Sequence, residues 1–133
     1  MQMKVDMSEG VQEIDSVFTN DASSGFFKII RDRYRSTHII VEFKNISHDP
    51  RNNEFQQLNG RLGDRTGSFG ILACRKVEDK RAVIARCKEY LHSQHYLIYL
   101  TDQDIIELLD CEREGNNDAI DDYMDTRLEE IIF

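Results

Sequence analysis

A run of eight residues, His38-Ile39-Ile40-Val41-Glu42-Phe43-Lys44-Asn45, constrains the fold more than any other stretch. Its first half is apolar, β-branched and short, which reads as a buried strand. Its second half sets an acid, an aromatic and a base in alternation. Side chains alternate faces along a strand, so Glu42 and Lys44 point one way and Phe43 the other. A carboxylate and an ammonium at the end of a core strand are costly to bury without a partner or a purpose. A bare E-x-K is satisfied by an ion pair at the rim of a sheet, so the neighbouring segments decide what else it is.

Two more apolar runs follow, Ser68–Cys74 (SFGILAC) and Tyr96–Leu100 (YLIYL), and both read as buried strands. Upstream, residues 1–10 are polar and read as a turn or short helix, and Val11–Phe18 reads as a further strand. There Ile14, Ser16 and Phe18 share one face, and Asp15 and Val17 the other. Between the strands lie helical patterns. Phe26, Phe27, Ile29, Ile30 and Tyr34 mark an amphipathic helix over Gly25–Tyr34, after a loop at Thr19–Ser24. A loop carrying the single proline, Pro50, precedes a helix over Glu54–Leu62 with Phe55, Leu58 and Leu62 inward. Gly63–Gly67 is a turn, and Glu78–His92 a helix with Val83, Ile84, Cys87 and Leu91 inward. Thr101 reads as the N-cap of a helix to about Cys111, with Asp102 and Asp104 where the helix dipole favours anions. After a loop, an acidic helix over 118–133 sets Ile120, Tyr123, Met124, Leu128, Ile131 and Ile132 against the core or a partner. Strands alternating with helices make an α/β domain with a central mixed sheet flanked by helices.

With 133 residues the chain is a single domain, 1–133, large enough for a real core. Its 40% apolar and 32% charged residues fit a globular chain. No stretch approaches the roughly 20 apolar residues of a membrane span, and the first residues lack a signal-peptide apolar segment. Cys74, Cys87 and Cys111 are widely spaced and form no C-x-x-C, which argues for reduced thiols in a cytoplasm. The net charge of −8 opposes indiscriminate attraction to nucleic acid. Basic residues nevertheless gather at 28–35, 51–65 and 75–88, and a bound cation would offset local acidity.

If the first two strands pair, Asp15 comes close to Glu42. Two converging carboxylates repel unless one is protonated or a cation lies between them. Hard oxygen ligands suit Mg²⁺ or Mn²⁺, and Lys44 on the same face is placed to orient water or stabilise charge on phosphorus. This arrangement resembles the PD-(D/E)xK nuclease superfamily, and within it the restriction-endonuclease-like domains of bacterial restriction and phage-defence proteins. The residues that carry the resemblance are Glu13-Ile14-Asp15-Ser16-Val17-Phe18, then Val41-Glu42-Phe43-Lys44-Asn45, then Gln57 on the next helix, then Phe69-Gly70-Ile71-Leu72. The resemblance implies metal ligands at Asp15 and Glu42, a catalytic lysine at Lys44 and a supporting amide at Gln57. Members often carry Q-x-x-x-Y on that helix, and here Arg61 takes the tyrosine's place, on the helix face of Gln57. Ile14 stands where the family name has proline.

The expected function is Mg²⁺- or Mn²⁺-dependent endonucleolytic hydrolysis of DNA, with Arg61, Arg65 and Arg75 available for backbone contacts. The expected assembly is a homodimer or the effector part of a larger defence protein, with no membrane association. The competing expectation is an inactive nuclease-like scaffold that binds protein or nucleic acid. Glu9 and Glu13 flank the first strand, and Glu13 is either a further metal ligand or a solvated acid. His38 reads as an edge histidine, and His48, in the loop after Lys44, as either a group that approaches a substrate or plain loop surface. His92 and His95 read as charge compensation at a helix end rather than a metal site.

Overall fold

The computed structural model describes residues 3–7 and 13–133, with side chains from Ser16 onward. Five strands, β1 (Met3–Met7), β2 (Glu13–Thr19), β3 (His38–Lys44), β4 (Phe69–Cys74) and β5 (Tyr96–Leu100), form one sheet in the order β1-β2-β3-β4-β5. The first two pairings are antiparallel and the last two parallel, so the sheet is mixed. Among the described residues the α-helices are α1 (Gly25–Tyr34), α2 (Asn52–Asn59), α3 (Lys80–Lys88), α4 (Asp102–Arg113) and α5 (Asn117–Ile132). The HIIVEFK run is the middle strand, and five of its seven residues are buried.

Helices cover both faces, and adjacent residues of β4 show how. A Cβ added to Gly70 would lie 2.8 Å from Leu58 of α2 and 3.3 Å from Leu62. The neighbouring Phe69 turns the other way, its ring 5.8 Å from Phe26 of α1 in an edge contact. Neighbours in a strand face opposite sides, so α2 and α1 pack on opposite faces. Glycine at position 70 is what lets α2 approach the sheet closely. The core comprises Phe26, Ile30, Phe55, Leu58, Phe69, Leu72, Leu97 and Ile98 among others, all 0–1% exposed.

The helix ends follow the sequence chemistry. Thr101 accepts from the Asp104 N–H at 3.2 Å, and Asp104 accepts from the Thr101 N–H at 2.7 Å, a reciprocal capping box. Asp79 and Asn116 cap α3 and α5 through Ala82 N–H and Ala119 N–H. Helix α5 lies along β5, the last strand of the sheet. Arg127 Nη1 donates to the Tyr99 carbonyl at 2.6 Å, and the guanidinium carbon sits 4.2 Å from the Tyr99 ring centre. This edge is thereby covered rather than left to pair with another chain. Met124, Leu128 and Ile131 are buried there, so the acidic helix covers the core of its own chain.

Several expectations are corrected. Met3–Met7 is a strand, not a turn or helix, because it pairs with β2 from Met3↔Phe18 to Met7↔Ile14. The second strand begins at Glu13; its expected start at residues 11–12, and Glu9, lie outside the described residues. Helix α2 begins earlier and ends at Asn59 rather than Leu62, where Gly60 takes the C-cap. Helix α3 stops at Lys88, followed by a 3₁₀ turn at Leu91–Ser93. His95 Nδ1 lies 2.6 Å from Oδ1 of Asn59, the last residue of α2.

Candidate active site

The site grows from the carboxyl-terminal half of β3. Glu42 and Lys44 project onto the α2 face, since their register partners on β4, Leu72 and Cys74, alternate with Ile71 and Ala73. Phe43 turns to the other face and is 37% exposed. The Glu42 side chain is 0% exposed and that of Lys44 2%, with Nζ 3.4 Å from Glu42 Oε2. Helix α2 brings Gln57 over the pair, and Lys44 Nζ donates to Gln57 Oε1. Arg61 lies beyond the end of α2, not on its face. Its Nε nevertheless donates to Glu42 Oε1, from a side chain that is 42% exposed. One buried carboxylate thus meets two cations, one enclosed and one reaching in from solvent. Glu42 Oε2 is buried and accepts no hydrogen bond among the described residues.

The sheet register sets Asp15 directly opposite Glu42 and Glu13 directly opposite Lys44. The side chains of Asp15 and Glu13 lie outside the described residues, and so do their roles as ligands. Among the described residues no three His, Cys, Asp or Glu side chains form a group able to hold a metal ion. The chemistry of the donors that are described fits a hard divalent cation. Glu42 offers carboxylate oxygens, one of them buried without a hydrogen-bond donor, and position 15 supplies a second acid across the strand pair.

Arg75 and Arg65 part company. Arg75 follows Cys74, the register partner of Lys44, and lines a crevice of about 730 Å³ with Asn45, Ile46, Ser47, His48, Lys76 and Asp102. This crevice lies outside the carboxyl ends of the parallel strands β3, β4 and β5, where open α/β sheets bind ligands. Arg75 and Lys76 each have an acidic neighbour, Asp102 at 3.9 Å and Glu78 at 3.0 Å. Arg65 is exposed in the turn at Gly63–Gly67, and its carbonyl accepts from Thr37 Oγ1 at 3.4 Å. That places its backbone at the opposite end of β3, away from Lys44. His48, in the loop four residues after Lys44, lines the crevice. Asn45, which ends the strand motif, and Lys76, in the basic cluster at 75–88, line it too, each just past a parallel strand's end.

Asp49 fixes this loop. Its carboxylate accepts from the N–H groups of Asp79 and Glu78, at 2.8 and 2.7 Å. Those two bonds, with smaller help from Arg86 and Lys76, hold its pKa below the ordinary carboxylate value. The β3–α2 loop is thus tied to the start of α3.

A second polar cluster sits apart, at α4 and α5. Asp104 receives two 3.0 Å hydrogen bonds from Arg127 and one from the Tyr123 hydroxyl. It joins the helices and β5 and is read as structural. Among the described residues no helix is long and apolar enough to cross a membrane. No protein-family model, curated protein or solved structure matches the chain.

Proposed function

We propose that this chain is a divalent-metal-dependent nuclease of restriction-endonuclease-like fold that hydrolyses phosphodiester bonds in DNA. One observation carries the reading. A buried acid and a buried lysine stand on one face of the central strand, an amide from α2 holds the lysine, and a second acid occupies the directly paired position across β2. An ion pair kept only for stability gains little from this arrangement, because apolar residues of similar volume serve as well or better in a core.

In this reading Asp15 and Glu42 hold Mg²⁺ or Mn²⁺. The ion, when bound, supplies Lewis-acid polarisation of the phosphoryl group and charge compensation. Lys44 is a fixed ammonium, held by Gln57 and Glu42, that orients the attacking water and stabilises negative charge on phosphorus. Gln57 is a positioning residue that acts through Lys44. Water oxygen bonds to phosphorus and gives up a proton to solvent, one ester P–O bond breaks, and the leaving oxygen takes a proton from solvent. The crevice at Asn45, His48, Arg75 and Lys76 offers a neighbouring surface for the phosphate backbone. Cleavage of both strands calls for two such centres, supplied by a homodimer or by a larger defence protein.

A second reading rests on a specific observation as well. Glu42 is fully enclosed and already meets two cations, which suits an inactive scaffold that binds protein or nucleic acid. Plasmid DNA incubated with Mg²⁺ or Mn²⁺ separates the two. The first reading expects nicking or linearisation by the native chain, lost on Lys44→Ala and on Asp15→Ala. Intact plasmid under all metal conditions, or equal cutting by both variants, removes it.

A further inference from the structure

We infer that Arg61 is a resident cation on the metal-binding carboxylate, one that a divalent ion displaces on binding. The inference rests on the metal-dependent reading above and adds a regulatory role for a residue outside the acid, acid and lysine set.

Glu42 is 0% exposed and Arg61 42% exposed, so the guanidinium reaches from solvent onto an enclosed carboxylate. It engages Oε1, while Oε2 faces Lys44 at 3.4 Å without a hydrogen bond. A buried carboxylate with no compensating charge is strongly unfavourable. With Lys44 at 3.4 Å, Arg61 is the second of two cations that compensate Glu42 in the metal-free protein. It also stands where an incoming ion needs the same carboxylate, and two cations a few ångströms apart in a poorly solvated pocket repel.

The location of Arg61 allows withdrawal. It lies past the Gly60 C-cap, outside α2, in the segment that leads into the Gly63–Gly67 turn. The side chain can leave Glu42 without unwinding the helix that holds Gln57. Once outside, a guanidinium is well suited to grip a phosphate.

The test is calorimetric titration of Mn²⁺ into the metal-free full chain, for wild type, Arg61→Gln and Glu42→Gln. A charge-assisted hydrogen bond no longer has to be broken in Arg61→Gln, so its Mn²⁺ affinity is expected to rise about tenfold. Its melting temperature without metal is expected to fall, and Glu42→Gln to lose binding. A second measurement needs no variant fold. In ¹⁵N NMR of the wild type, the Arg61 Nε–H is expected to lose its protection from solvent exchange when Mg²⁺ is added. Unchanged or weaker Mn²⁺ affinity in Arg61→Gln, or an Nε–H equally protected with Mg²⁺ bound, overturns the displacement while leaving a metal-dependent nuclease intact. No divalent binding by wild type or Arg61→Gln, with plasmid uncut, removes both.

Discussion

Lys44 Nζ stands 3.4 Å from Glu42 Oε2, with both side chains at most 2% exposed. They sit two residues apart on the central strand, and the pleat alone brings them together. Removing one partner from such a pair usually costs about 3–5 kcal/mol, because the other is left charged and buried. The two members are not equivalent here. Lys44→Met leaves Glu42 with Arg61, whereas Glu42→Gln leaves two cations without their shared carboxylate. Urea unfolding is therefore expected to show a larger loss for Glu42→Gln than for Lys44→Met. The double variant is expected to be less destabilised than the sum, by about 0.5–3 kcal/mol of coupling. Strictly additive losses would contradict the pairing.

Asp104 predicts how acid acts on the fold. Burial pushes its pKa up, but hydrogen bonds from Arg127, Tyr123 and the Thr101 N–H outweigh this and hold it below the ordinary value of 3.8. The native state thus binds the proton less readily than the unfolded chain. Its contribution is fully present above 3.8 and is lost as pH falls through the lower native value. The gap in melting temperature between wild type and Asp104→Asn is expected to be constant above about pH 5 and to narrow below pH 4. Arg127 and Asp104 are only 11% and 9% exposed, so the variant is expected to lose about 3 kcal/mol at neutral pH. A gap that widens in acid would refute the assignment.

The cysteines differ in reach. Burial pushes the Cys74 and Cys87 thiols up to about 12, and both side chains are enclosed, whereas Cys111 is half-exposed on α4. A thiol reacts through its thiolate. Ellman's reagent at pH 8 is expected to modify one thiol in the folded protein and three in denaturant. Cys111→Ser is expected to abolish the fast reaction; its survival would mean that one of the strand or α3 thiols is open to solvent.

The parts of this fold that show in the sequence are those whose signal is local. HIIVEFK, FGILAC and YLIYL carry their burial in composition, and Gly25–Tyr34 carries its helix in periodicity; all four are found where they are expected, within a residue at either end. Thr101 and Asp104 cap their helix by a three-residue rule. Met3–Met7 carries only a short alternation, Met3-Lys4-Val5-Asp6-Met7, and its strand is fixed by pairing with β2. The candidate site divides similarly. Glu42 and Lys44 share a face by arithmetic, and the register of Asp15 follows once β2 and β3 pair. Arg61 was placed at the site for the wrong reason. A four-residue helical spacing to Gln57 suggested it, yet α2 ends at Asn59, and the arginine reaches Glu42 by the length of its side chain. The backbone of Arg65 lies at the other end of β3, because charge clustering in sequence says nothing about which end of a strand a turn occupies.

Gly70 links the packing to the chemistry. A Cβ there would stand 2.8 Å from Leu58 Cδ1, 3.2 Å from its Cγ and 3.3 Å from Leu62. Leu58 is 0% exposed, so its side chain has to shift within the core or α2 has to move away from β4. Overpacking of this kind typically costs about 1–3 kcal/mol. The same helix carries Gln57, whose carbonyl oxygen holds the Lys44 ammonium. Gly70→Ala is therefore expected to lower stability by that amount and, on the proposed nuclease reading, also to reduce plasmid cleavage, although residue 70 touches none of the polar side chains of the site. At a temperature where the variant is fully folded, reduced cleavage at unchanged Mn²⁺ affinity would trace the loss to Lys44 and Gln57. Full activity with wild-type stability would mean that α2 yields freely, and that its close approach to the sheet does not set the position of the lysine.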